Sequence, residues 1–312
     1  MTTMPPLAMQ DVSKFYGGVT AVDSVTVDIE AGQSVALLGR NGVGKSTLLR
    51  LALGLTRPSA GSCRLFGQLP SAYDVRRAVG YAPQLSALPD GLRVRETIRF
   101  VRDVKGAPQP DGLIDRLQLG PLLDRSASVL SLGQKRRLAL LLAFLGHPRF
   151  VILDEPTVSL DTESRLASWE LITEFCDAGG TLLLATHDFA EVSTIAQRVL
   201  VLANGRVKAD STVSDLVLGT GLVVLETARR ADLPLLDGVY VQHSGERTLL
   251  ITRRPDEVLE QLGACADGHI VQRRPTVEEV CTALSGGIAP RGRRHPDAVP
   301  ARAAGESTQV GQ

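Results

Sequence analysis

A glycine-rich segment, GRNGVGKST at residues 39–47, lies between a short apolar run and a leucine-rich helical pattern. It matches the phosphate-binding motif GxxxxGK[ST] in the strand, loop and helix order that this motif requires, which makes a chance match improbable. The glycines let backbone amides surround a β-phosphate, Lys45 reaches the β- and γ-phosphate oxygens, and the Ser46 hydroxyl can bind Mg²⁺. The predicted nucleotide-binding residues here are Gly39, Arg40, Asn41, Gly42, Val43, Gly44, Lys45, Ser46 and Thr47.

Two adjacent carboxylates end another apolar run, FVILDE at residues 150–155. A buried strand would place Asp154 where it can hold the Mg²⁺ shell, and Glu155 nearer to a water that attacks the γ-phosphate. The alternative is an Asp-Glu pair that starts a helix before Pro156. Because the pair ends an apolar run downstream of a phosphate loop, the sequence favours a metal ligand and a catalytic base.

A histidine follows a third apolar run, in TLLLATHD at residues 181–188. At the carboxyl edge of a parallel sheet, the His187 imidazole could donate a hydrogen bond to a γ-phosphate. A lone histidine at a strand end is usually structural, but the two preceding motifs favour a catalytic role. The predicted catalytic residues are Lys45, Glu155 and His187.

The segment SVLSLGQKRRLAL, residues 128–140, changes from turn-forming residues to a basic, leucine-rich helical pattern. Unpaired backbone N–H groups and partial positive charge at a helix start would make Ser131, Gly133 and Gln134 an anion site. The alternative is an ordinary N-cap, in which Ser131 satisfies an unpaired amide. These residues alone leave both interpretations open.

Apolar patterns predict the elements that carry these side chains. VTVDIE at 25–30 alternates as a half-buried strand does, whereas QSVALLG at 33–39, RFVILDE at 149–155 and TLLLAT at 181–186 are continuous, as in buried central strands. A helical segment around Ser164–Cys176 separates the last two runs. This alternation predicts an α/β core with a parallel sheet and crossover helices.

Other regions predict the remaining organisation of the chain. From about Leu85 to Gly146 the apolar spacing is helical, which indicates a helical insert. Later residues include the strand-like GLVVLETA at 221–228, a hairpin pattern at 238–253 and two helices, PDEVLEQLG and TVEEVCTALSG, around the strand GHIVQR. The predicted domains are 1–210, a small α+β domain at 211–285, and a disordered tail at 286–312 that is rich in Gly, Pro, Arg and Ala.

Composition limits the functional classes. The 312 residues are 44% hydrophobic, and 34 basic residues balance 34 acidic ones, so no general electrostatic case exists for a nucleic-acid partner. The cysteines have neither metal-site spacing nor a disulfide pattern, which fits a reducing cytoplasm. The N-terminal residues lack a leader pattern and the longest apolar run, 138–146, is too short to cross a bilayer, so we expect neither secretion nor membrane spanning.

The order of these motifs resembles that of the ATP-binding subunits of ABC transporters, over about residues 7–210. Further matches are Tyr16 in KFYGG, Gln84 in YAPQ, EPTVSLD leading to Asp161, and LSLGQ at 130–134 in place of the signature LSGGQ. The resemblance implies a P-loop NTPase fold of ABC type, with a mixed-sheet core, an antiparallel β subdomain and a helical subdomain.

The resemblance also implies roles for these residues. Tyr16 would stack on adenine, Gln84 would contact the nucleotide and Mg²⁺, and Asp161 would end a loop beside the nucleotide. The implied site residues at the signature are Ser131, Gly133 and Gln134, which would face the γ-phosphate of ATP bound to an opposite subunit. Each ATP would then lie between two chains.

The implied function is that of a motor subunit, an ATPase that pairs with a second ATP-binding subunit and drives a separate membrane permease. The segment Gln84–Val104 would meet the permease, and the chain would lie in the cytoplasm on the inner face of the membrane. RRPTVEEVCTALSG resembles the ending of exporter ATPases, although an amphipathic helix with a capping box explains it equally well. The alternative function is a soluble ABC ATPase that acts on nucleic acid or the ribosome; one phosphate loop and no sustained heptads favour the transporter.

One departure from the family pattern concerns the signature. Leu132 replaces its first glycine, which would matter if the backbone there required a positive φ. Gly133, the glycine nearest the phosphate in the family, is retained, so we expect activity to survive.

Overall fold

The computed structural model describes residues 4–84, 88, 91–227, 238–244, 247–263, 270–286 and 288, and its strands form three sheets. The strands are β1 (Leu7–Tyr16), β2 (Val19–Ile29), β3 (Ser34–Leu38), β4 (Ala60–Leu65), β5 (Val79–Ala82), β6 (Phe150–Asp154), β7 (Thr181–Thr186), β8 (Arg198–Ala203), β9 (Arg206–Thr212), β10 (Val223–Thr227), β11 (Val239–Ser244), β12 (Arg247–Thr252) and β13 (Ile270–Arg273). The helices are α1 (Lys45–Ala52), α2 (Tyr73–Ala78), α3 (Val94–Lys105), α4 (Asp111–Arg116), α5 (Leu132–Phe144), α6 (Thr162–Asp177), α7 (Phe189–Ile195), α8 (Val213–Gly219), α9 (Pro255–Gly263) and α10 (Val277–Ser285).

Six strands form the central sheet, in the order β5-β6-β7-β3-β8-β9. The first five run parallel, and β9 pairs antiparallel with β8. Every residue of β3, β6 and β7 is buried, as is typical of strands covered on both faces. The three continuous apolar runs are therefore adjacent central strands, and the predicted α/β core is confirmed.

The carboxyl ends of β6, β7 and β3 lie side by side. Leu38 at the end of β3 pairs with Thr186 at the end of β7, and Asp154 at the end of β6 pairs with Ala185. Segments that leave parallel strands meet at this edge of a sheet. The strand order therefore brings the phosphate loop, the Asp-Glu pair and His187 to one edge.

An antiparallel sheet in the order β2-β1-β4 packs on the first helix. Along β2, Val25, Val27 and Ile29 are buried and the residues between them are exposed, which confirms the predicted alternation. These side chains share one apolar cluster with Leu49 of α1 and Ile152 of β6. The antiparallel sheet and the central sheet thus enclose α1 in a common core.

The helical insert forms a second apolar cluster on the other side of the central sheet. It joins Val94 and Ile98 of α3 to Leu140 of α5 and Leu184 of β7. Helices α3, α4 and α5 lie in the region predicted to be helical. Within that region, residues 85–87, 89 and 90 lie outside the described part of the chain.

The C-terminal region contains a four-stranded antiparallel sheet in the order β11-β12-β10-β13. The hairpin β11–β12 and the helices α9 and α10 agree with the sequence prediction. One face of the sheet packs on α9, where Leu225 and Leu250 meet Val258 and Leu262. The tail predicted to be disordered, 286–312, lies outside the described residues except for Gly286 and Ile288.

Apolar packing crosses the predicted domain boundary at residue 210. Leu38 of β3 and Val201 of β8 share a cluster with Val224 of β10, Ile251 of β12 and Val280 of α10, and all five are buried. Residues of the C-terminal region therefore cover apolar side chains of the central sheet. The division into domains at this boundary stays a prediction.

A chain cut after Asp210 is expected to lose this cover and part of its stability. Returning a buried Val or Leu side chain to water costs about 1.5–3 kcal/mol, and Leu38, Val199 and Val201 would each be partly uncovered. A loss of this size should lower the melting temperature by roughly 10 °C, at about 2–4 °C per kcal/mol. Circular dichroism of the cut and full-length chains measures it. Identical melting temperatures would show that the two regions have separate cores.

Candidate active site

The phosphate loop joins β3 to α1 through backbone that only glycine accommodates. Gly44 has a φ of +110°, and a Cβ built there would lie 2.2 Å from the carbonyl oxygen of Ala21. A Cβ on Gly39 would lie 2.5 Å from the carbonyl oxygen of Leu202. Both glycines of the motif are thus required by close packing, and α1 begins at the next residue, Lys45. A helix start leaves backbone amides without partners inside the helix, which is what a phosphate site requires.

The Lys45 ammonium is held inside the site. The residue is 7% exposed, and its Nζ donates a hydrogen bond of 2.6 Å to the Gly39 carbonyl oxygen. The same Nζ lies 3.7 Å from Oε1 of Glu155. Burial lowers the pKa of Lys45, and the negative charges of Glu155 and Asp154 oppose that shift. The charged amine therefore lies between the loop that would hold phosphate and the predicted catalytic base.

Glu155 lies between Lys45 and His187. Its side chain is 3% exposed, and Oε2 is 2.7 Å from Nδ1 of His187, whose side chain is 56% exposed. The Glu155 backbone has a φ of +53° and is fixed by a hydrogen bond of 2.8 Å from its N–H to the Ala185 carbonyl oxygen. Left-handed backbone at a residue other than glycine is strained and concentrates at functional sites. The structure thus joins all three predicted catalytic side chains in one row.

Asp154 and Ser46 bring two oxygen groups together at the predicted magnesium site. Asp154 is 2% exposed, and within the described part of the chain its Oδ1 has no hydrogen-bond partner. Burial raises the pKa of the Asp154 carboxyl, and a hydrogen bond with Ser46 opposes that shift. A buried carboxylate oxygen beside a hydroxyl fits Mg²⁺, which prefers oxygen ligands. Gln84, the third predicted ligand, is exposed two residues beyond β5, and its contact with metal or nucleotide stays a prediction.

The start of α5 is closed by a capping box. The Ser131 hydroxyl accepts a hydrogen bond of 3.3 Å from the Gln134 N–H, and the Gln134 side-chain oxygen accepts one of 3.0 Å from the Ser131 N–H. The ordinary N-cap interpretation is thus correct as far as these contacts go. Ser131 is exposed, and its described hydrogen bonds are with residues of its own helix start, so a role toward ATP stays a prediction.

The departure at Leu132 causes no backbone strain. Leu132 is the first helical residue of α5, and its φ is not among the positive ones. The next residue, Gly133, packs closely: a Cβ there would lie 2.9 Å from the carbonyl oxygen of Ser159. Close packing against Ser159 therefore requires a glycine at position 133, where the family glycine is retained. Leu132 itself is 48% exposed.

The two remaining candidates are Tyr16 and Asp161, and neither contacts the other site residues through a hydrogen bond or an ion pair in the described part of the chain. Tyr16 ends β1 and is 45% exposed, with the Lys14 Nζ 5.1 Å from its ring centroid. An exposed aromatic ring beside a cation is suited to stacking on a base. Asp161 is the N-cap of α6, and its hydrogen bond from the Ser164 N–H holds the pKa of its carboxyl below the usual range. Their contacts with nucleotide stay predictions.

Comparison with known proteins agrees with this site. A family model described as ABC transporter matches residues 22–158. The Nod factor export ATP-binding protein I of Rhizobium meliloti is 33% identical over 294 residues, which covers 89% of this chain and 87% of that protein. The chain belongs to the ABC transporter family. The family, the P-loop fold and the ATPase class predicted from the motifs are thereby confirmed.

This ABC transporter subunit is also similar to a second ATP-binding protein and to a solved structure. The daunorubicin/doxorubicin resistance ATP-binding protein DrrA of Streptomyces peucetius is 31% identical over 312 residues, covering 92% of this chain and 94% of that protein. A solved ATP-binding subunit of an ABC transporter superposes with a TM-score of 0.65 at 30% identity, covering 69% of this chain and 93% of the other. In the described residues of the present chain, no helix combines the length and hydrophobicity needed to cross a membrane.

Two buried charged residues of this ABC transporter subunit were not predicted from the sequence. Arg136 of α5 is 3% exposed and Glu191 of α7 is 1% exposed. The Glu191 carboxylate accepts hydrogen bonds from Thr157 and, at 3.4 Å, from Trp169 Nε1. Burial raises the pKa of Glu191, and these hydrogen bonds oppose the shift. The one available sequence signal is that Arg136 lies four residues before Leu140, on the apolar face of its helix.

Proposed function

We propose that this chain is the ATP-hydrolysing motor subunit of an exporter, and that two such subunits close on MgATP and drive a separate membrane permease. The observation that carries the proposal is the row formed by Lys45, Glu155 and His187 at one sheet edge. The two named relatives, one for Nod factor export and one for drug resistance, support export over an action on nucleic acid or the ribosome.

In the proposed reaction, Lys45 binds the β- and γ-phosphate oxygens and Glu155 orients the attacking water and accepts its proton. His187 contacts the Glu155 carboxylate through Nδ1. With a proton on both ring nitrogens, it would also donate a hydrogen bond to the γ-phosphate from the other nitrogen. Bound to Ser46 and Asp154, Mg²⁺ would neutralise charge that develops on the phosphates. Tyr16 would stack on the adenine.

The proposed second subunit completes the site. Ser131, Gly133 and Gln134 form an exposed helix start that would bind the γ-phosphate of ATP held by the partner. ATP would then stabilise the closed dimer and hydrolysis would release it. A ligand drives a conformational change only through such a difference in affinity between two states.

The proposed permease surface lies on α3. Phe100 and Val104, one helical turn apart, are 60% and 53% exposed, and so they present apolar area to solvent. Arg93 and Arg95, on the same helix or at its cap, are paired with Asp124. Contact with a permease would place this subunit in the cytoplasm, on the inner face of the membrane.

A Phe100→Ser variant tests the permease surface. Loss of an exposed aromatic anchor should weaken co-purification with the proposed permease by about tenfold, which is roughly 1.4 kcal/mol. The ATPase rate of the isolated subunit should stay within about twofold, because Phe100 is exposed to solvent and belongs to none of the side-chain contacts of the candidate active site. Val271→Ser removes a similarly exposed apolar side chain from β13 and serves as the control. Equal losses of co-purification and ATPase rate in Phe100→Ser would contradict the assignment.

A further inference from the structure

Arg136 is a buried cation that contacts backbone beside the candidate active site. Its side chain enters the core from the second turn of α5, and its Nε has no hydrogen-bond partner within the described residues. Burial lowers the pKa of its guanidinium, and the negative charges of Asp154, Glu155 and Glu191 oppose that shift. A buried charge that is incompletely hydrogen-bonded is unfavourable for stability, so stability alone does not account for an arginine here.

The guanidinium connects the ends of two neighbouring strands. Its Nη1 donates a hydrogen bond of 2.8 Å to the Pro83 carbonyl oxygen and one of 3.3 Å to the Asp154 carbonyl oxygen. Pro83 directly precedes Gln84, and Asp154 is the proposed Mg²⁺ ligand. One side chain of α5 therefore holds the backbone next to two predicted Mg²⁺ ligands, Gln84 and Asp154.

The same helix carries the surface proposed to meet the second subunit. Ser131 and Gln134 cap α5 at its start, and a helix rises about 1.5 Å per residue, so Arg136 follows Ser131 by about 7.5 Å along the axis. Over so short a distance the helix is rigid. The position of Ser131 is therefore fixed relative to Pro83 and Asp154 through Arg136.

We propose that Arg136 is a positioning residue that couples the ATP site of its own chain to the α5 start offered to the second subunit. When the backbone at Pro83 or Asp154 shifts, Arg136 moves α5 with it, and Ser131 turns toward or away from the partner's γ-phosphate. This inference rests on the proposed two-subunit function. It assigns a role to a residue that touches neither nucleotide nor metal.

The test compares Arg136→Met with its parent in a Glu155→Gln background, where ATP would not be consumed. Met replaces the aliphatic part of the arginine side chain and removes the charge and every donor. In size-exclusion chromatography with MgATP, the apparent dissociation constant of the dimer should rise about tenfold, because Arg136 no longer holds the start of α5. Calorimetry on the same variants should show ATP affinity of the monomer within about twofold. In the chain with Glu155 intact, kcat should fall by about tenfold while KM stays within about twofold.

Two further variants separate coupling from stability. Arg198→Met removes another partly buried arginine, which donates to the Asp28 carbonyl oxygen and to Asp210 far from the α5 start, and it should lose stability without losing dimer formation. Arg136→Lys keeps the positive charge, but its side chain is shorter and carries a single nitrogen. It should therefore retain part of the coupling. Arg136→Lys also decides the question if Arg136→Met does not fold.

The outcomes distinguish this inference from the proposed function. If the Glu155→Gln parent dimerises on ATP and both Arg136 variants dimerise equally well, the coupling role is wrong and the two-subunit function stands. If Arg198→Met loses dimer formation as Arg136→Met does, the loss reflects destabilisation and the inference fails. If the Glu155→Gln parent stays monomeric with MgATP, both the two-subunit function and the coupling role are wrong.

Discussion

A Glu155→Gln variant is expected to hydrolyse ATP about 10²–10⁴-fold more slowly than the parent, the loss typical of removing a positioned general base. Gln keeps the size of the side chain and can still accept a hydrogen bond from His187, but it cannot accept a proton from water. The 3.7 Å contact between Glu155 and Lys45 loses its charge attraction, which leaves Lys45 free to bind phosphate. ATP binding should therefore persist, and the closed dimer should accumulate.

Steady-state ATPase assays and chromatography with MgATP measure both effects of Glu155→Gln. Glu170→Gln is the matched control, because this carboxylate of α6 is exposed, pairs with Arg116 and lies outside the candidate active site. Its turnover should stay within about twofold of the parent. A normal rate in Glu155→Gln would mean that another group positions the water, and the proposed catalytic role would be wrong.

The loops of the candidate active site could be predicted because each follows a strand with a distinctive pattern. Strands covered on both faces must be continuously apolar, so the runs before Gly39, Glu155 and His187 were recognisable without a structure. Parallel strands bring their carboxyl ends to one edge. These two facts predict that the three loops lie close together. They do not predict the strand order β6-β7-β3.

The sequence did not reveal the buried charges or the shared core. The sequence pattern did not predict that Arg136 and Glu191 are buried, because the burial of a charged helical residue depends on which elements pack over it. Val201 of β8 and Val280 of α10 belong to one apolar cluster although they lie far apart in the chain, and the sequence pattern gave no sign of this shared packing. Local patterns carry no information on such long-range packing.

A Lys45→Ala variant in the Glu155→Gln background is expected to lose ATP affinity rather than turnover. Charge-assisted hydrogen bonds contribute about 1.5–3 kcal/mol each, so the dissociation constant should rise about 10- to 100-fold. The substitution also leaves the Gly39 carbonyl oxygen without its 2.6 Å donor, which loosens the loop that surrounds the phosphates. Because the proposed dimer forms around bound ATP, the dimer peak of the Glu155→Gln parent should disappear at the same ATP concentration.

Lys105→Ala provides the matched control for Lys45→Ala. Lys105 is also a partly buried lysine whose pKa is lowered by burial, and its ammonium also donates to a backbone oxygen, that of Val79 at 3.2 Å. It lies at the end of α3, away from the phosphate loop, so Lys105→Ala should lose stability but bind ATP within about twofold of the parent. Calorimetry at a temperature where all variants are folded makes the comparison. If Lys45→Ala binds ATP as tightly as Lys105→Ala does, the Lys45 ammonium does not hold the phosphates, and the row of Lys45, Glu155 and His187 has another purpose.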